Sequence, residues 1–225
     1  MGATIRYAFR FEDGREVSVE VGRGGPGPEP GSAPAWTALG RLRCPGCPLD
    51  PGATPQCPAA VSLTPLLGLA DGRTSHEPVD LTVETPERTV RARTTLQRAL
   101  GSLIGLVLPS SGCPHLAPFR PMARFHLPLS TEEETVFRAV GSYLLARHLA
   151  GLPPDPGLAG LERIYRRVQE VNRCLAERLR EATRGDAAVN AVVLLDLLAK
   201  AVPWSIEDAL EDLRPWFEGW AIEES

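Results

Sequence analysis

The chain has 225 residues, 43 % of them hydrophobic, and a formal net charge of −4 at neutral pH. That is enough apolar material for a sizeable core, which excludes a chain that is disordered throughout. The acidic balance excludes a nucleic-acid surface built on bulk positive charge, because phosphate binding needs a basic face.

Ile5, Tyr7, Phe9 and Phe11 alternate along the first segment, and Val17, Val19 and Val21 alternate after Glu12-Asp13-Gly14-Arg15. Period-two patterning around Asp-Gly predicts a β-hairpin with one buried face. A Gly/Pro run follows from Gly22 to Ala35 and contains Gly22-x-Gly24-x-x-Gly27. A dinucleotide fingerprint needs a helix start at its end, and Pro26, Pro28 and Pro30 forbid one, so a loop is predicted instead. Trp36 to Leu42 predicts a short strand leading into a cysteine-bearing loop. Pro58 fits the first position of a helix to Ala70, with Pro65 inside it.

Val79 to Arg93 predicts a second hairpin, and Thr94 or Thr95 is placed to cap a helix from Leu96 to Leu108. Ser130-Thr131-Glu132-Glu133 reads as a capping box before Val136, Val140 and Leu144 at helical spacing. Pro153-Pro154-Asp155-Pro156 breaks the chain before a long helix to about Arg184, striped by Leu161, Tyr165, Val168, Leu175 and Leu179. Asp186 opens another helix to Val202, and Ser205 caps a last one that Trp204, Trp216 and Trp220 help to anchor. Strands early and helices late give the α+β class. Two N-terminal β-hairpins form a small antiparallel sheet, followed by a mainly helical C-terminal half. Residues 1–128 carry the hairpins and cysteine loop, and residues 129–225 the helices, within one compact unit.

The sequence centres on Arg43 to Pro58, where Cys44, Cys47 and Cys57 share a proline-stiffened loop. Each is followed by proline, as is Cys113, whereas Cys174 is followed by leucine and reads as a small apolar packer. No secretory signal is apparent, and the apolar stretch from Ala187 to Val202 is too short to span a bilayer. A soluble cytoplasmic protein is therefore expected, and in that compartment clustered cysteines serve a metal better than a disulfide. Cys44-x-x-Cys47 lets two thiolates reach one metal from a tight turn, with the amides of Gly46 and Cys47 free to face the Cys44 sulfur. Cys57 and Cys113 complete four ligands, and His115 is an alternative ligand beside Cys113. One knuckle with two lone Cys-Pro ligands suits iron–sulfur ligation slightly better than structural zinc, which remains the alternative. Arg120, Arg124 and His126 are candidates for a cationic wall that binds an anion or tunes a thiolate cluster. The competing reading pairs Arg120 and Arg124 with Glu132, Glu133 or Glu134.

The chain resembles a family of uncharacterised bacterial proteins. The matching marks are Cys44-Pro-Gly-Cys47-Pro-Leu, Cys57-Pro, and Ser111-Gly-Cys113-Pro-His115 followed four residues later by Arg120-Pro-Met-Ala-Arg-Phe-His-Leu-Pro128. The resemblance implies a whole-length member and transfers no activity. From the residues, the expected function is a cysteine-ligated metalloprotein, with a 4Fe-4S cluster in a redox or sensing role and an unidentified protein or redox partner. The alternative is a zinc-stapled, non-enzymatic adaptor. A third reading is an enzyme that uses the Arg120/Arg124/His126 wall beside an open coordination position. Neither nucleic acid nor membrane is an expected partner.

Overall fold

The computed structural model describes residues 4–22, 33–70, 72–183, 186–193 and 210–219. The first hairpin forms as its alternation requires, with β1 at Ile5–Phe11 and β2 at Glu16–Val21. Gly14 takes the left-handed conformation (φ +83°) that the tight turn demands. The second hairpin consists of β3 at Pro78–Glu84 and β4 at Thr89–Thr95. The hairpins join through β1 and β3 into one antiparallel sheet ordered β2-β1-β3-β4. Its register sets Tyr7 opposite Val83, Phe9 opposite Leu81 and Phe11 opposite Val79. All six side chains are buried, so the central strands carry the apolar face. The other face carries exposed ion pairs such as Arg6–Glu84 and Arg10–Asp80. Pairs this exposed stabilise by about 1 kcal/mol at most.

The helices cover the apolar face. Helix α1 spans Pro58–Ala70 with Pro58 at its start and continues through Pro65. Helix α2 spans Leu96–Val107, and Thr95 occupies its cap position without making a side-chain cap bond. The Thr95 hydroxyl is instead buried without a partner among the described residues. The carbonyls of Glu77 and Ser75 accept the amides of Leu96 and Gln97 at 2.8 and 2.9 Å, so tertiary backbone contacts take over the cap's work.

After the short α3 at Arg120–Arg124, helix α4 runs over Glu132–Leu149. Its capping box is made by Thr131 and Glu134, one residue later than the sequence reading placed it. Helix α5 spans Ala159–Ala182 and is buried along much of its circumference. Asp155 joins the two helices by accepting from Tyr143 Oη at 2.5 Å and the Gly160 amide at 2.8 Å.

Trp36 to Leu42 does not form the expected strand. It holds a 3₁₀ turn at Ala35–Thr37 and a single bridge between Ala38 and Gln56. Its backbone bonds go to the cysteine loop rather than to the sheet. Cys57 N donates to Thr37 O at 2.7 Å, and Leu39 N to Pro55 O at 2.8 Å. Asp186 opens a helical stretch over 187–193, and its carboxylate accepts from the Ser75 amide at 2.8 Å. The helix expected beyond 193, Trp204, the Ser205 cap, Trp220 and most of the Gly/Pro run lie outside the described residues. One core joins side chains from both halves of the chain, among them Leu63, Leu100, Val136, Leu161 and Leu175. Among the described residues no helix is long and apolar enough to cross a membrane.

Candidate functional site

The cysteine loop is shaped by its own short-range bonds. Cys47 N donates to Cys44 O at 3.1 Å, closing the Cys-Pro-Gly-Cys turn, with Gly46 at φ +66°. That amide is thus taken by a carbonyl, whereas the sequence reading kept it free for the Cys44 sulfur. Arg43 Nη2 donates to Cys47 O at 2.7 Å from within the loop. Downstream, Asp50 O accepts the amide of Thr54 at 2.7 Å and folds the loop back. Cys57 then starts α1, where its carbonyl accepts the Val61 amide at 2.9 Å.

Cys113 arrives from the far side. Gly112 adopts φ +93°, and a side chain there would stand 3.6 Å from the Pro58 ring. This close approach seats the Ser111-Gly112-Cys113 segment on the start of α1, next to Cys57. Ser111 Oγ accepts the Cys113 amide at 3.2 Å and fixes the turn. His115 bridges the two segments through a 3.1 Å hydrogen bond between its Nε2 and Gly46 O.

The segments that carry the four Cys-Pro cysteines therefore adjoin. All five cysteines are free thiols; Cys57, Cys113 and Cys174 are buried, and Cys44 and Cys47 are half-buried. The Cys44 thiol is pushed well up, first by burial, then by Cys174, and by Cys57 and Cys113. Burial also pushes Cys113 up, aided by Cys57 and Cys47 and opposed by the backbone amides of His115 and Leu116 at its sulfur. Such thiols stay protonated near neutral pH until a cation replaces their protons. Among the described residues no group of three or more His, Cys, Asp or Glu side chains is set to hold one metal ion.

Two buried α5 residues stand behind the loop, and the sequence reading missed the second. Cys174 is 3 % exposed, in keeping with the packer its helical position predicts, and it helps to push the Cys44 thiol up. Arg178, one helical turn further along α5, is 1 % exposed and donates to Trp36 O and Leu42 O at 2.5 Å each. It thereby anchors the segment that leads into Cys44. Its signal lay in the spacing Val171, Cys174, Leu175, Arg178, which puts the arginine on a buried stripe.

The expected cationic residues go to three different partners. Arg120 is exposed and directs Nε to Pro109 O at 3.4 Å. Arg124 is exposed and lies 5.4 Å from the Phe125 ring centroid. Among the described residues neither forms an ion pair with Glu132, Glu133 or Glu134. His126 turns inward, 2.5 Å from Tyr7 Oη through Nε2, while Tyr7 Oη also meets Ser102 Oγ at 2.8 Å. Burial and the nearby Arg138 lower the His126 pKa to about 4.

The unfolded chain takes up a proton at this histidine near pH 6.5, and the folded chain refuses it until about pH 4. Folding stability is thus expected to fall as pH drops through that window. Urea denaturation at pH 7 and pH 5 checks this, and His126→Gln is expected to shrink the difference.

A family model described as a domain of unknown function, DUF6901, matches residues 5–218. The chain belongs to the DUF6901 family. The match takes in both hairpins, the cysteine loop and the helical half, so the site lies inside the DUF6901 unit. No curated protein and no solved structure matches the chain.

Proposed function

We propose that this DUF6901 protein is a cysteine-ligated iron–sulfur protein that carries or senses electrons through a four-iron cluster held by Cys44, Cys47, Cys57 and Cys113. The observation that carries the reading is the docking of the Cys113 segment on the first cysteine loop and the start of α1, through the 3.1 Å bond between His115 Nε2 and Gly46 O and the seat of Gly112 against Pro58. Soft thiolates collected in this way suit iron–sulfur or zinc binding.

Sequence spacing favours the cluster slightly: one Cys-x-x-Cys pair with two lone Cys-Pro positions suits iron–sulfur ligation better than structural zinc, which usually takes two such pairs. The protein's own contribution is tuning. The amides of His115 and Leu116 at the Cys113 sulfur favour its thiolate, and the bonds from Arg43 and His115 to the Cys44–Cys47 turn hold that turn in place. When bound, the cluster supplies one-electron chemistry.

Anaerobic reconstitution of metal-free protein with ferrous iron, sulfide and a thiol tests the reading. About four irons and four sulfides per chain are expected, with visible absorption that dithionite bleaches. Stoichiometric zinc uptake with no iron–sulfide chromophore would overturn it in favour of a zinc-stapled adaptor.

A further inference from the structure

Helix α5 presents a second feature on its opposite side. Asn172 and Cys174 are two residues apart, hence about 200° apart around the helix. Cys174 meets the cysteine loop, while Tyr165, Val168 and Asn172 line a cavity of about 200 Å³ between α2, α3, α4 and α5. The wall is largely apolar, with Leu116, Phe119 and Met122 among its members. An apolar cavity of about 150 Å³ already accepts benzene, so a substituted ring or an aliphatic body of similar size fits here.

The polar groups on this wall have a consistent character. Arg98 and Arg138 line the cavity, and no carboxylate among the described residues does. Arg98 is exposed and so marks the rim. Arg138 is held in place by Nη2, which donates to Met122 O at 2.6 Å and Phe125 O at 2.9 Å. The groups acting on Arg138 are Glu134 and Tyr165, with burial the largest influence. His126 is neutral at pH 7, so the arginines supply the cavity's charge. Asn172 is 2 % exposed, and its Nδ2 has no hydrogen-bond partner among the described residues. An unpaired buried donor is costly, and a ligand acceptor removes that cost.

We propose that this cavity binds a small carboxylate with an apolar body and a hydrogen-bond acceptor at its far end. Tyr165, beside Arg138, and Asn172 lie seven residues apart on α5, about 10.5 Å along the axis. One carboxylate is therefore not shared between them. Arg138 takes the anion, Arg98 guides it at the rim, and Asn172 Nδ2 donates to an ether or carbonyl oxygen further along the body. The walls between take the ring or chain.

Calorimetric titration of the full chain with 4-methoxyphenylacetate, phenylacetate and 4-methoxyphenylacetamide tests this. The methoxy acid is expected to bind saturably, about tenfold tighter than phenylacetate and about tenfold tighter than the neutral amide. Asn172→Leu removes the unpaired donor at similar volume and is expected to fold at least as well. In that variant the preference for the methoxy group disappears, while phenylacetate affinity changes by less than about twofold. Arg98→Gln, a surface change, weakens both acids and leaves the amide unchanged. The proposal is overturned by absence of saturable binding at millimolar methoxy acid, by an amide that binds as tightly as the acid, or by an unchanged methoxy preference in Asn172→Leu. The heat of binding does not involve the cysteines, so this outcome is independent of the iron–sulfur reading.

Discussion

Replacing Cys113 by alanine is expected to strip the protein of its iron and sulfide while leaving the metal-free fold nearly intact. In the proposed set Cys113 is the ligand that comes from outside the first cysteine loop, and its segment bonds back to that loop through His115 Nε2 and Gly46 O. As an apoprotein side chain it is a small buried packer, so its truncation costs about 1 kcal/mol. As a ligand it closes the set, and three thiolates hold a cluster poorly against solvent. Iron and sulfide analysis beside thermal melting of the apoprotein separates the two effects. Cys174→Ala provides the contrast. Cys174 is buried like Cys113 but lies outside the Cys-Pro set. Metal content is expected to survive its loss. If Cys174→Ala empties the protein and Cys113→Ala does not, the ligand assignment is wrong.

The second large effect is expected at Arg178. This guanidinium is buried and anchors two backbone carbonyls, Trp36 O and Leu42 O, on either side of the turn before Cys44. Hydrogen bonds from a charged donor are worth about 1.5–3 kcal/mol each, and their loss leaves the acceptors without a partner. Arg178→Met keeps the length and the apolar stem while removing both donors. A loss of about 3 kcal/mol is expected, which for a chain of this size lowers the melting temperature by roughly 6–12 °C. Hydrogen exchange should locate the damage: amides in the 36–47 segment lose protection while those of β1 and β3 keep theirs. Loss of protection spread evenly over the sheet would show that Arg178 serves the core rather than the cysteine loop.

Both hairpins were legible in the sequence because one buried face imposes a strict period of two on Ile5–Phe11 and Pro78–Glu84. Helix starts were less legible. Ser130 and Thr131 stand side by side before three glutamates, so two capping registers are chemically equivalent from the sequence. The structure uses Thr131 with Glu134. Thr95 misled for a different reason: carbonyls that arrive from Glu77 and Ser75 through the fold satisfy the amides that its hydroxyl was expected to cap.

The Cys-Pro context marks four cysteines in loops with little apolar content to fold around, and the fold sets the Cys113 segment against the first cysteine loop through the His115–Gly46 bond. Arg178 escaped notice since an arginine on a helical stripe looks the same whether it is solvated or reaches a buried partner. Only the docking of α5 against the 36–47 segment distinguishes the two cases. The cavity was hidden for the same reason, as its walls come from four helices that no local pattern connects.

The most direct measurement is the visible absorption spectrum of the protein purified without oxygen, with iron, acid-labile sulfide and zinc assayed on the same sample. The account predicts a brown protein that contains iron and sulfide in equal amounts and loses its colour in air. A colourless protein with one zinc per chain, or with no metal, would contradict it.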